Sequence, residues 1–186
     1  MPGLKIAFTL QSRDLTRLRA VLREAALASA HLEDAEMVEA AQKLASRVRA
    51  SNPPDYVEER IGALETVAEM LRDADWTLPS SVRRRVRTAL AYFSEPADMI
   101  PDHVPVLGYL DDAIMIELIR RELEHEIEGY RDFCRARRQI SQRRSAAGGP
   151  SRGDRLHARR KQLRARIQAR QVRDAERAGG RRFRLW

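Results

Sequence analysis

Cysteine is nearly absent, with Cys134 alone in 186 residues. One thiol cannot close a disulfide within the chain, and it excludes a cysteine-rich zinc site. Glycine and proline are scarce, at 9 and 8, too few for a turn-rich all-β protein. No run approaches the roughly 18 consecutive apolar residues that a membrane span needs. No apolar stretch of the signal-peptide kind follows Met1-Pro2-Gly3-Leu4-Lys5, so no secretion signal is expected. A glycine-rich phosphate loop, a Walker pattern and a Gly-x-Ser-x-Gly elbow are all missing. What remains is the composition of a soluble, all-α protein of a reducing compartment.

Charge is what the chain has in quantity: 33% of its residues are charged and the net charge is +8. That average hides a split. Residues 135–186 hold 18 Arg and Lys, of which only Lys161 is lysine, against Asp154, Asp174 and Glu176, or +15. Residues 1–134 therefore carry 8 − 15 = −7. An acidic body and a basic terminus suggest separate roles, or attraction between the two.

Hydrophobic spacing predicts five helices in the body. The first starts at Ser12 as N-cap and runs to about His31, with Leu15, Leu18 and Leu22 inward. A second spans about Glu33 to Ala50 and stops at Asn52-Pro53-Pro54. A third is capped by Asp55 and ends near Trp76, with Ile61, Leu64 and Leu71 on its stripe. Leu78-Pro79-Ser80-Ser81 breaks the chain before a fourth, whose Arg83, Arg84, Arg85 and Arg87 read as a solvated face. The fifth opens at Tyr109 and continues unbroken to about Gln139. Within it, Glu124, Glu126, Glu128 and His125 are expected to pair with Arg120 and Arg121 at helical spacing. Cys134 and His125 face apart and make no catalytic pair.

Between the fourth and fifth helices, Pro96, Pro101 and Pro105 punctuate an apolar connector. The segment from Tyr92-Phe93-Ser94-Glu95-Pro96 through Asp98-Met99-Ile100-Pro101-Asp102 to Gly108-Tyr109-Leu110-Asp111-Asp112 resembles the signature of the YkvA family. Glu95 departs from it, standing where the family has serine directly before proline. The resemblance implies a small helical bacterial domain without a defined biochemical role, some relatives being associated with membranes. The residues themselves leave two readings of the acids. Asp98, Asp102, Asp111 and Asp112 hold a divalent cation such as Mg²⁺ or Ca²⁺, with His103 as a further ligand or proton carrier, in a metal-dependent hydrolase. Alternatively they cap turns and the start of the fifth helix. Geometry leans to capping, because adjacent helical residues point about 100° apart and do not aim two carboxylates at one ion. No other cofactor is expected.

Residues 145–153 read as a linker rich in glycine, serine and alanine. They divide a helical domain, 1–144, from an arginine-rich tail, 154–186, expected as a detached or loosely docked basic helix or as a disordered tail. Arginine forks bind phosphate through two bonds at once. Arg159, Arg160, Lys161, Arg164, Arg166, Arg170 and Arg173 are the candidate nucleic-acid contacts, with Phe183 and Trp186 as stacking or lipid-inserting side chains. A nucleic acid or ribosome, an anionic membrane surface, and a protein or the chain's own acidic body are the alternative partners. Low aromatic content over residues 155–177 favours adhesion to a polyanion over insertion into lipid. The reading is a cytoplasmic, non-enzymatic accessory protein, peripheral at the inner membrane in the membrane alternative.

Overall fold

A computed structural model describes residues 11–94, 109–142 and 149–177. Its elements are α1 (Ser12–Ala28), a short 3₁₀ turn (Ser29–His31), α2 (Asp34–Ala50), α3 (Asp55–Arg72), α4 (Ser80–Tyr92), α5 (Leu110–Glu122), α6 (Glu124–Gln142) and α7 (Arg152–Arg177). There is no strand among the described residues, so the all-α class holds.

Local chemistry sets the boundaries, and it shifts several of the expected ones. Gln11, not Ser12, is the first N-cap: its backbone N–H donates to Asp14 Oδ2 at 2.8 Å. The same device opens α2, where Glu33 N–H donates to Glu36 Oε2 at 2.7 Å. The helix α3 ends at Arg72, short of Trp76. There Asp73 Oδ1 accepts the N–H groups of Asp75 at 2.9 Å and Trp76 at 3.2 Å, an Asx turn that replaces the helical ladder. Thr77 follows in the left-handed region at φ 48°, which a β-branched residue adopts only under constraint.

The single fifth helix expected from the sequence is two helices. Leu123 leaves helical geometry at φ −100° and ψ 12°. The ladder reaches Leu123 N–H, which donates to Ile119, and resumes where Ile127 N–H donates to Leu123. Leu123 is fully buried, so the turn is held by packing and not by a proline or glycine.

The core is threaded by α3, which touches α2, α4, α5 and α6, while α1 lies on α4 and α7 lies on α6. Ile61, Leu64, Val67 and Leu90 fill its centre. The α4 arginines are not one solvated face. Arg83 and Arg87 both donate to Asp34, at the start of α2, and Arg87 also reaches Leu32 O at 2.8 Å. Arg84 stays exposed.

Arg120 and Arg121 pair most closely with Glu117 of their own helix, at 2.9 and 2.8 Å, while the Glu124 charge four residues on also acts on Arg120. The hydrogen bond from Arg120 is the main force holding the Glu117 carboxyl down at about 2, from an ordinary 4.5, with Arg121 adding to it and burial opposing it. A depressed folded pKa gives stability that is complete above 4.5 and disappears as pH falls toward about 2. Urea unfolding at pH 6 and pH 3 should therefore show acid destabilisation that shrinks in Glu117→Gln. An equal loss in both proteins would exclude this carboxylate as a source.

Candidate nucleic-acid interface

The basic helix begins with a reciprocal cap. Ser151 N–H and Ser151 Oγ both donate to Asp154 Oδ2, at 3.1 and 2.6 Å, and Asp154 N–H donates back to Ser151 Oγ. So α7 starts inside the stretch expected as linker, at Arg152. Residues 143–148 lie outside the described residues, as do Phe183 and Trp186.

The segment expected as a detached or loosely docked helix, or as a disordered tail, is a helix packed against α6 over its described length. Leu156, Leu163 and Ile167 share one stripe of α7 and are 5%, 2% and 5% exposed. Gly129 of α6 makes the seat: a Cβ there would collide with Ile167 Cδ1 and lie 3.0 Å from its Cγ1. Burying an aliphatic side chain contributes about 1.5–3 kcal/mol, against roughly 0–1 kcal/mol for an exposed ion pair. The apolar stripe therefore fixes the docking, and charge refines it.

Trp76, fully buried, is the floor beneath α7. It packs against Tyr130 and Phe133 in tilted ring contacts, at centroid distances of 5.7 and 5.1 Å. Arg164 lies over its ring with the guanidinium carbon 4.0 Å from the centroid, a cation–π contact. Arg164 also donates to Glu126 Oε2 at 2.7 Å, and these side chains are only 19% and 4% exposed. Burial pushes the Arg164 guanidinium below its ordinary pKa, while the neighbouring Glu126 charge pulls it back. Toward the far end, His125 Nε2 is 2.7 Å from Asp174 Oδ2. Three of the four residues expected to pair locally turn to α7, Glu126 to Arg164, Glu128 to Arg170 and His125 to Asp174, while Glu124 acts on Arg120.

This arrangement sorts the seven candidate tail contacts. Arg160 points inward, donating to Asp75 O at 2.8 Å and Thr77 Oγ1 at 2.9 Å. With Arg164 it belongs to the docking and not to an outward surface. Lys161 is exposed. Arg159 donates to Gln162, Arg166 to Asp132 at 3.2 Å, Arg170 to Glu128 at 2.5 Å and Arg173 to Ala169 O. These four fall on one flank, and the same flank holds Arg155 and Arg177, which were not among the expected contacts. Positions 155, 159, 166, 170, 173 and 177 are spaced by three, four or seven residues, which is one face of a helix. That spacing is present in the sequence.

Of the acidic segment, Asp98, Asp102 and His103 lie outside the described residues. Asp111 and Asp112 occupy the first turn of α5, each 7% exposed, where the helix dipole favours negative charge. No group of three or more His, Cys, Asp or Glu side chains placed to hold a metal occurs among the described residues. Cys134 is half-buried beside Arg137, whose Nη2 is 3.7 Å from its sulfur. The polar group here is built on Asp73, which accepts from Tyr130 Oη at 2.9 Å and Arg137 at 2.7 Å. Burial, then bonds to Cys134 and Asp73, push the Tyr130 phenol well above its ordinary pKa. This group ties α6 to the turn that carries Trp76.

No helix among the described residues is long and apolar enough to cross a membrane. Neither the curated proteins nor the solved structures contain a match to this chain. Residues 86–118, from the middle of α4 through most of α5, match a family model described as a protein of unknown function (DUF1232).

Proposed function

We propose that this is a non-enzymatic accessory protein of the YkvA type, acting in the cytoplasm, whose basic C-terminal helix holds a nucleic acid, free or within a ribosome, by its phosphates. The supporting observation is the division of labour on α7. Its apolar stripe is packed against α6, while a flank of arginines runs along its length. A helix that lies in a lipid surface needs that apolar stripe for the bilayer. On α7 only Val172, 52% exposed, remains for it. Phosphate needs no apolar stripe and is met by guanidinium forks.

For Asp111 and Asp112 this reading keeps the capping role, and it assigns the acidic segment no reaction.

Binding of the full chain to labelled mixed-sequence nucleic acid should be strongly salt dependent. With six to eight phosphate contacts, affinity should fall about a thousandfold or more between 50 and 200 mM salt. Anionic vesicles measured in parallel should retain the chain more weakly. Absence of binding at 50 mM salt, or an affinity indifferent to salt, refutes the reading.

A further inference from the structure

The arginine flank of α7 does not stand alone. Asp132 of α6 accepts from Arg166 of α7 at 3.2 Å and also from Arg135 of its own helix. One carboxylate thus holds a guanidinium from each helix side by side. Arg166 is 60% exposed and Arg135 69%, so both also face solvent. Arg131 and Arg138 are exposed four residues before and three after Arg135, on the same side of α6. We infer that α6 and α7 form one composite phosphate-binding face, and that its partner is the backbone of a nucleic-acid duplex.

Rigidity and reach favour the duplex. From Arg155 to Arg177 the α7 row spans about 33 Å at 1.5 Å per residue, close to the roughly 34 Å of one duplex turn. The helix is fixed by the Leu156, Leu163 and Ile167 seat, so the backbone positions that carry the row are held in a fixed line. A duplex is likewise rigid over this length, because its persistence length is about 500 Å. Single strands are held by a basic groove combined with stacking of the bases on aromatic rings. The described part of α7 carries no Phe, Tyr or Trp, and the aromatic rings of α6, Tyr130 and Phe133, are 3% and 0% exposed. The inference concerns contacts to the phosphate backbone, which fix position and carry no sequence information directly.

Glu128 and Asp132 sit inside this face as self-competitors. They occupy Arg170 and Arg166, which a phosphate would otherwise engage. Charge repulsion and competition both predict that they weaken binding.

The inference rests on the phosphate-binding reading, and its test separates the two. Full-length protein is titrated into a 30-base-pair duplex, in DNA and RNA versions, and into a 30-nucleotide single strand at 50, 100 and 200 mM salt. The duplexes should bind about tenfold or more tighter than the single strand. The variant R131Q/R135Q/R138Q leaves α7 untouched and should lower the log–log salt slope by about 2 to 3, roughly one for each phosphate no longer neutralised. The variant E128Q/D132N should bind several-fold tighter than the wild type. Melting temperatures establish that both variants remain folded. Equal binding of duplex and single strand, or an unchanged salt slope in the α6 variant, overturns the inference while leaving phosphate binding intact. No binding of any probe overturns both.

Discussion

Replacing Trp76 by alanine should remove about 3–5 kcal/mol of unfolding free energy, the range for truncating a fully buried large aromatic. The side chain is 0% exposed and supports three groups from two helices: Tyr130, Phe133 and Arg164. Its loss leaves a cavity where α6, α7 and the turn after α3 meet, and close-packed interiors relax only partly into such a void. Trp76→Phe should be far milder. The indole Nε1 is buried without a hydrogen-bond partner among the described residues, so the phenyl ring gives up area but no hydrogen bond. Urea unfolding followed by circular dichroism distinguishes the two. A Trp76→Ala loss below about 1 kcal/mol would show that this contact is not part of the core.

Glu126→Ala should be comparably severe, about 3–5 kcal/mol, for a different reason. Arg164 would stay buried over the indole with its countercharge removed, and an uncompensated buried charge costs more than its ion pair contributes. The reciprocal change, Arg164→Met, should likewise destabilise, because it strands Glu126 at 4% exposure. Glu126→Leu combined with Arg164→Met should recover much of the loss, since a hydrophobic pair of similar volume often replaces a buried ion pair at little cost. If the single variants added without coupling, the two residues would be energetically independent and the docking of α7 would lose its polar latch.

Local signals carry far in this chain. Pro53-Pro54 and Pro79-Ser80 are readable as helix boundaries because proline acts on its own backbone and its predecessor. The Leu156, Leu163 and Ile167 stripe is readable from spacing alone. The break at Leu123 is not, because a leucine carries no stop signal and the bend comes from tertiary packing. The partners of His125, Glu126 and Glu128 escape sequence reading for a related reason. Arg120 and Arg121 are near in sequence, while the true partners Asp174, Arg164 and Arg170 lie 49, 38 and 42 residues away. Gly129 holds the missing clue: a glycine in a helix interior is costly unless something must approach closely, and here Ile167 does. The arginine flank is legible as a helical spacing, but which arginines are consumed in docking is decided by where Asp75, Thr77 and Glu126 sit.

Hydrogen exchange of the α7 backbone is the most direct measurement of whether the basic helix is a fixed layer of the fold. Amides around Leu163 and Ile167 should be protected to the same degree as those of α6 around Gly129 and Phe133, because the two helices open together. In Gly129→Val, where the seat for Ile167 is filled, protection of α7 should drop while α3 keeps its own. Exchange of α7 in the wild-type chain at the rate of an unstructured peptide, with α6 still protected, would contradict the account.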